Sequence, residues 1–105
     1  MTPLEFAAKR HALGIGQVEA SKQLGVNRRT ITRWETNGTP SIAAVAWITG
    51  KYNTMLDYLD HVVATGGEIT TEDPALRDLT DSEKTAYITA AALACHGAKI
   101  TPQFP

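Results

Sequence analysis

The chain has 105 residues, of which 43% are hydrophobic, and its one cysteine is Cys95. This length is typical of one small domain, alone or with an appendage. A single cysteine excludes an intramolecular disulfide, and no apolar run reaches the roughly 18 residues that a membrane-spanning helix needs. The N-terminal residues also lack the basic and then apolar pattern of a signal peptide. We therefore expect a cytoplasmic protein that has no membrane partner.

The formal net charge of −1 hides an uneven distribution along the chain. Residues 1–52 carry seven basic and three acidic side chains, whereas residues 53–105 carry three basic and eight acidic ones. Lysine and arginine attract the phosphates of nucleic acids, and acidic residues repel them. This polarity predicts a first half that binds nucleic acid and a second half that faces other protein, although such asymmetry also arises by accident in small proteins.

The N-terminal residues contain the signals that begin a first helix. Thr2 is a favoured cap, Pro3 is favoured at the first helical position, and Glu5 lies three residues after the cap. These features predict a helix over residues 3–13 that ends near Gly14.

A second and a third helix follow at close spacing. Residues 17–24 have a helical pattern, and Gly25 provides the positive φ that a tight turn requires. Asn27 is a favoured N-cap for a third helix over residues 28–36.

The third helix has one apolar and one basic face. Ile31 and Trp34 lie three residues apart, so a helix places them on the same side. The opposite side carries Arg28, Arg29, Thr32 and Arg33. Arginine can donate two hydrogen bonds to guanine, asparagine can pair with adenine, and threonine can reach a phosphate or a thymine methyl. The third helix is therefore chemically suited to the major groove of DNA.

Two more helices are predicted before residue 65. The fourth begins near Ser41, and the pattern is interrupted between Gly50 and Thr54. The fifth carries an apolar stripe at helical offsets, formed by Met55, Leu56, Leu59, Val62 and Val63.

The last forty residues contain a linker and one further helix. Residues 66–80 are rich in glycine, threonine and acidic residues, which predicts a linker. Thr80 and Glu83 form a capping-box pattern that opens a helix over residues 81–96. The middle of that helix is apolar nearly all round, so it either docks into its own domain or forms a subunit interface.

Residues 3–65 contain five predicted helices, and the second helix, the turn at Gly25 and the third helix form a distinct motif. In these features residues 3–65 resemble the Cro/repressor-type helix-turn-helix proteins, also called the xenobiotic-response-element family. The resemblance implies an all-α protein with a lambda-repressor-like five-helix domain at residues 1–65 and an additional C-terminal helix. Residues 66–80 would then be the linker, and residues 81–105 a packing or dimerisation segment. Members of the family are mostly repressors of phages, plasmids and bacterial chromosomes that bind operators as homodimers.

The resemblance also implies which residues touch DNA. Gln17 would begin the second helix against a phosphate, and Asn37 would approach the sugar-phosphate chain beyond the third helix. The residues that would face the groove are Asn27, Arg28, Arg29, Thr32 and Arg33. Arg10 and Glu35 would instead form a structural ion pair.

No catalytic or metal-binding constellation is recognisable in the sequence. His11, His61 and His96 lack the mutual spacing of metal ligands. Asp57 and Asp60 lie beside His61 and opposite the apolar stripe, which indicates a solvated helix face. We expect no metal, no cofactor and no enzymatic activity.

The leading hypothesis is a homodimeric repressor that binds a pseudo-palindromic operator in double-stranded DNA. The alternative is a protein-binding helix-turn-helix module, such as an antitoxin or an antirepressor, whose acidic C-terminal half holds a partner.

Overall fold

The computed structural model describes residues 1–104, and regular structure in that range is helical. Its elements are α1 (Pro3–Ala12), α2 (Gln17–Leu24), α3 (Arg28–Thr36), α4 (Ile42–Ala64), a 3-10 turn (Pro74–Leu76) and α5 (Asp81–Gly97). The all-α class predicted from the sequence is confirmed. Within this described range, no helix is long and apolar enough to cross a membrane.

The chain divides into two compact units, with the boundary inside α4. The N-terminal unit is Met1–Tyr52, and the C-terminal unit begins at Asn53. The predicted domain of residues 1–65 thus extends past the boundary that the packing gives. The change in the sign of the charge at residue 52 coincides with that boundary.

Local sequence features determine where α1 and α3 begin and where α2 ends. The Thr2 side chain accepts a hydrogen bond from the backbone N–H of Glu5 at 3.1 Å. Asn27 caps α3 in the same manner, because its side-chain oxygen accepts from the backbone N–H of Arg29 at 2.8 Å. Gly25 ends α2 in the left-handed region, with φ 65°, where an L side chain is strained. These three features follow the predictions from the sequence.

The core of the N-terminal unit lies where α3 packs against α1 and α2. The rings of Phe6 and Trp34 meet edge to face, with their centroids 6.0 Å apart, a favourable aromatic geometry. The buried apolar residues of this unit are Phe6, Leu13, Ile15, Ala20, Ile31, Trp34, Ala44 and Ile48. The prediction that Ile31 and Trp34 belong to the core is confirmed.

The predicted break between a fourth and a fifth helix is wrong. Helix α4 runs from Ile42 to Ala64 without interruption, so residues 1–65 contain four helices and not five. Gly50 lies inside this helix. Glycine costs about 1 kcal/mol relative to alanine in a helix, and the burial of Ile48 and Met55 on either side of Gly50 outweighs that cost.

The C-terminal unit has its own core, to which the predicted linker contributes. Ile69 and Leu76 lie within residues 66–80, and both are at most 1% exposed. Residues 66–80 are therefore not an open linker, because these two apolar side chains are buried. The buried apolar residues of this unit are Met55, Tyr58, Val62, Ile69, Leu76, Tyr87, Ala91 and Cys95.

Helix α5 begins with the predicted capping box. The Thr80 hydroxyl accepts from the Glu83 backbone N–H at 3.2 Å, and the Glu83 carboxylate accepts from the Thr80 backbone N–H at 3.3 Å. After α5, the backbone of Gln103 pairs with Gly67 and Ile69 through two hydrogen bonds of 2.8 and 2.9 Å. Gln103 is therefore fixed to the segment that we predicted to be a linker.

The Gly50→Ala substitution should stabilise the protein by about 0.5–1 kcal/mol. A Cβ at Gly50 would meet no atom within 4 Å, so alanine gains helix propensity without a clash. Urea denaturation followed by circular dichroism measures the change. An unchanged or lower free energy of unfolding would show that α4 needs glycine there.

The Gly38→Ala substitution should have the opposite sign and cost about 1–3 kcal/mol. A Cβ at Gly38 would lie 2.8 Å from the backbone oxygen of Arg33. That oxygen already accepts the Gly38 backbone N–H at 2.7 Å, so the end of α3 must shift. The same denaturation experiment compares the two variants, and equal stabilities would contradict both predictions.

Candidate functional site

Helix α3 exposes a continuous basic face. Ile31 and Trp34 occupy its buried side. The exposed side carries Arg28, Arg29, Thr32 and Arg33. Guanidinium groups present several N–H donors in a planar fork that matches paired acceptor oxygens or nitrogens. The structure thus brings together in solvent four of the residues that the sequence singled out.

The one acidic residue of α3 is held away from this face by an ion pair. Glu35 accepts hydrogen bonds from Arg10 at both carboxylate oxygens, from Nε at 2.5 Å and from Nη2 at 2.8 Å. The two side chains are only 6% and 7% exposed. Arg10 also donates from Nη1 to the backbone oxygen of Ile15 at 2.9 Å. The predicted ion pair is confirmed, and it joins α1 to the end of α3.

Gln17 connects this ion pair to the basic face. Its amide nitrogen donates to Glu35 at 3.1 Å. Its amide oxygen accepts from Nε of Arg28 and from the hydroxyl of Thr32, both at 3.3 Å. Gln17 therefore holds the first turn of α2 against the middle of α3, a bridging role that the sequence pattern did not reveal.

The three arginines differ in how firmly they are held. Arg28 is partly engaged by Gln17. Within residues 1–104, the side chains of Arg29 and Arg33 make no hydrogen bond or ion pair. Their spacing of four residues places them one helical turn apart on the same face. Arg29 and Arg33 are thus the cations that are most available to a partner.

The two asparagines of the predicted site lie at the ends of α3. Asn27 is exposed, but its side-chain oxygen is engaged in capping the helix, which leaves only its amide N–H₂ group for a partner. Asn37 is exposed at the C-terminal end of α3. Thr36 was not predicted to belong to this face, but it is exposed one turn beyond Thr32, and its hydroxyl donates to the Thr32 backbone oxygen at 3.0 Å. The four-residue spacing from Thr32 was the available signal.

Two aromatic side chains of α4 lie near the surface of the N-terminal unit. Trp47 and Tyr52 are half-buried and not part of the deep core. The Trp47 indole N–H donates to Gln23 at 3.2 Å, which ties α4 to α2. The Lys9 ammonium lies 5.2 Å from the centre of the Tyr52 ring, within cation–π range.

The histidines lie at the surface. His11, His61 and His96 are exposed, as are Asp57 and Asp60. Among the described residues, no group of three or more His, Cys, Asp or Glu side chains is placed to hold a metal ion.

The environment of Glu35 makes its contribution to stability depend on pH. Burial alone would raise the pKa of Glu35, but hydrogen bonds from Arg10 and Gln17 and the charges of Arg10 and His11 outweigh burial and hold that pKa below its ordinary value of 4.5. A carboxyl whose pKa is lower in the folded state stabilises the fold above the unfolded-state pKa. That stabilisation is lost as the pH falls through the lower, folded-state pKa.

The Glu35→Gln substitution should therefore cost about 3 kcal/mol at neutral pH, because it leaves the Arg10 charge buried without a counterion. The loss should shrink as the pH falls below 4.5, where the Glu35 carboxyl of the unfolded chain becomes protonated, and it should be smallest below the lower pKa of the folded state. Urea denaturation between pH 3 and pH 7 measures both effects, and Glu72→Gln at an exposed position is the control. A loss that is the same at every pH would contradict the assignment.

Comparisons with known proteins give no relative for this chain. No family model, no curated protein and no solved structure matches it.

Proposed function

We propose that this protein is a sequence-specific DNA-binding transcriptional regulator, and that it acts as a homodimeric repressor without a cofactor or catalytic activity. The observation that carries the proposal is the exposed arginine face of α3, whose one acidic residue is neutralised by Arg10. In this proposal α2, the turn at Gly25 and α3 form a lambda-repressor-like helix-turn-helix, with α3 as the recognition helix.

The dimensions and chemistry of α3 suit the major groove of B-DNA. That groove is about 12 Å wide and admits one α-helix, and guanine presents two acceptors on its edge to a guanidinium fork. Arg29 and Arg33 are free of side-chain partners among the described residues. We assign these two residues to base edges.

The remaining residues of the predicted site are assigned to the DNA backbone. Gln17 orients Arg28, which limits Arg28 to the acceptors that it can reach from that position. Asn37 lies at the end of α3. Contacts to phosphates fix the position of a protein on the duplex but carry no sequence information. We assign Gln17, Arg28, Thr32 and Asn37 to this positioning role, with Asn27 contributing only its amide N–H₂ group.

The charge of the N-terminal unit supports the assignment. Residues 1–52 carry a net charge of +4, although the whole chain is slightly acidic. A protein that neutralises several phosphates loses affinity steeply as salt concentration rises. The proposal therefore includes a strong salt dependence despite the negative net charge.

The sequence pattern of α5 offered its apolar side as a possible subunit interface, but the proposed homodimer needs a different surface. Tyr87, Ala91 and Cys95 form the inner stripe of α5, and all three are at most 3% exposed. This stripe is used inside the C-terminal unit. The spacing of two half-sites in the DNA reports the dimer directly, because two recognition helices on one DNA face lie about one helical turn apart.

Selection of bound sequences from a random duplex pool, at near-physiological salt, tests the proposal. An enriched inverted repeat would support a dimeric operator-binding protein, and a single enriched half-site would support a monomer. Binding without any enriched motif would overturn sequence-specific recognition.

The Arg29→Ala substitution should cost about 1–3 kcal/mol of binding free energy and relax the preference at one base pair of the selected site. Fluorescence anisotropy with each single-base variant of the site measures both effects. Arg77→Ala is the matched control, because Arg77 is an exposed arginine of the C-terminal unit. A uniform loss over all base variants would instead place Arg29 on a phosphate.

One observation favours a second candidate, the protein-binding module. Residues 53–105 carry eight acidic and three basic side chains, and a surface of one sign selects partners of the opposite sign. Stoichiometric co-purification of a basic protein partner, together with DNA binding that selects no motif, would favour this candidate over the repressor.

A further inference from the structure

Asn37 and Gly38, at the end of α3, form a dipeptide that can react with itself. The backbone nitrogen that follows an asparagine can attack the side-chain amide of that asparagine. The attack is easiest before glycine, because glycine has no side chain to obstruct the approach. The chain has three asparagines, at positions 27, 37 and 53, and only Asn37 is followed by glycine. Asn37 is also exposed, so water reaches its side-chain amide.

The fold requires the glycine that makes Asn37 reactive. A Cβ at Gly38 would lie 2.8 Å from the backbone oxygen of Arg33, which is closer than such atoms pack in proteins. The residue that lets α3 end without a clash is therefore also the residue that leaves the Asn37 amide open to attack. The reactive dipeptide is thus a consequence of how α3 ends.

The folded structure restrains the reaction in two ways. The Gly38 backbone nitrogen is the nucleophile, and its N–H donates to the Arg33 backbone oxygen at 2.7 Å. A hydrogen-bonded amide loses its proton to solvent only when the structure opens locally. In addition, ψ of Asn37 is 5°, which turns the Gly38 nitrogen away from the Asn37 Cβ. Ring closure needs both atoms on the same side of the Cα–C bond, so the end of α3 must open first.

We propose that Asn37 is a site of spontaneous deamidation, and that local opening at the end of α3 controls its rate. In the open state the Gly38 nitrogen gives up its proton and bonds to the side-chain carbonyl carbon of Asn37. The bond from that carbon to the amide nitrogen breaks, and the amide nitrogen takes up the proton and leaves as ammonia. Water then adds to one carbonyl of the cyclic imide and opens it to aspartate or isoaspartate. The only co-reactant is water.

The product places a carboxylate next to the basic face of α3. Asn37 follows Arg33 by four residues, about one helical turn, and its backbone N–H donates to the Arg33 backbone oxygen at 3.2 Å. A carboxylate at position 37 attracts the Arg33 guanidinium and repels phosphates. This consequence rests on the proposed function: deamidation lowers the affinity for DNA, and bound DNA that holds the end of α3 closed slows deamidation.

Incubation of the full chain at mildly alkaline pH, followed by peptide mapping in a mass spectrometer, tests the modification site. We expect Asn37 to deamidate before Asn27 and Asn53, which are the internal controls. In guanidinium chloride that unfolds the chain, Asn37 should react on the order of tenfold faster, because no opening is needed. Equal rates in the folded and the unfolded chain would overturn the control by α3. A faster reaction at Asn27 or Asn53 would overturn the site.

Hydrogen exchange of the Gly38 amide measures the same opening independently. The Thr36→Gly substitution weakens the last turn of α3, so it should speed both the exchange at Gly38 and the deamidation of Asn37. Thr89→Gly is the matched control, because Thr89 is an exposed threonine of α5, and it should change neither rate as much. Faster exchange at Gly38 without faster deamidation of Asn37 would contradict the proposed control.

The effect on DNA binding has a separate test. Asn37→Asp reproduces the charge of one product, and Asn37→Gln is the control that keeps a neutral amide. Fluorescence anisotropy with a selected duplex should show about two- to fivefold weaker binding by Asn37→Asp than by Asn37→Gln, as expected for one exposed charge. Equal affinities would overturn the effect on binding. Deamidation itself is measured without DNA, so a native chain that binds no DNA would refute the proposed function and not the modification site.

Discussion

The ion pair of Arg10 and Glu35 is the interaction on which the N-terminal unit depends. It is bidentate, and both side chains are nearly excluded from solvent. Breaking one half of such a pair leaves a buried charge that nothing compensates. The contact joins the end of α1 to the end of α3, and Gln17 extends it to the start of α2. Three short helices are thereby fixed relative to one another by polar contacts as well as by the apolar core around Phe6, Ile31 and Trp34.

The same ion pair determines the electrostatics of the exposed surface of α3. Glu35 is the only acidic residue in that helix. Its charge is neutralised by Arg10 at a nearly buried position, away from the arginines on the outer face. The end of α3 is held by a close backbone approach, in which the N–H of Gly38 donates to the Arg33 backbone oxygen at 2.7 Å. The DNA-binding role that we propose for α3 would benefit from this rigidity, because side chains on a well-supported helix lose less freedom when they bind.

The C-terminal unit is held together by aromatic and apolar contacts. Tyr58 and Tyr87 stack with ring centroids 5.5 Å apart, and the segment before α5 adds Ile69 and Leu76 to the same unit. Met55 and Val62 of α4 and the inner stripe of α5 are buried inside the unit, while its charged side chains are mainly acidic. Among the described residues, the Tyr58 hydroxyl is the buried side-chain polar atom that makes no hydrogen bond. The two units therefore carry net charges of opposite sign.

The sequence alone determined the features that depend on near neighbours. The caps at Thr2, Asn27 and Thr80, the left-handed turn at Gly25 and the buried side of α3 all follow from residues a few positions apart, since capping, turn chemistry and helical periodicity are local. The Arg10–Glu35 pair was predicted only through a family resemblance. The tertiary structure decided the rest, because burial depends on residues distant in the chain: α4 continues through Gly50, the segment with Ile69 and Leu76 is packed, and Gln17 bridges α2 and α3. A local sequence pattern does not contain the packing that keeps Gly50 in a helix. It also does not contain the contacts by which Gln17 bridges α2 and α3.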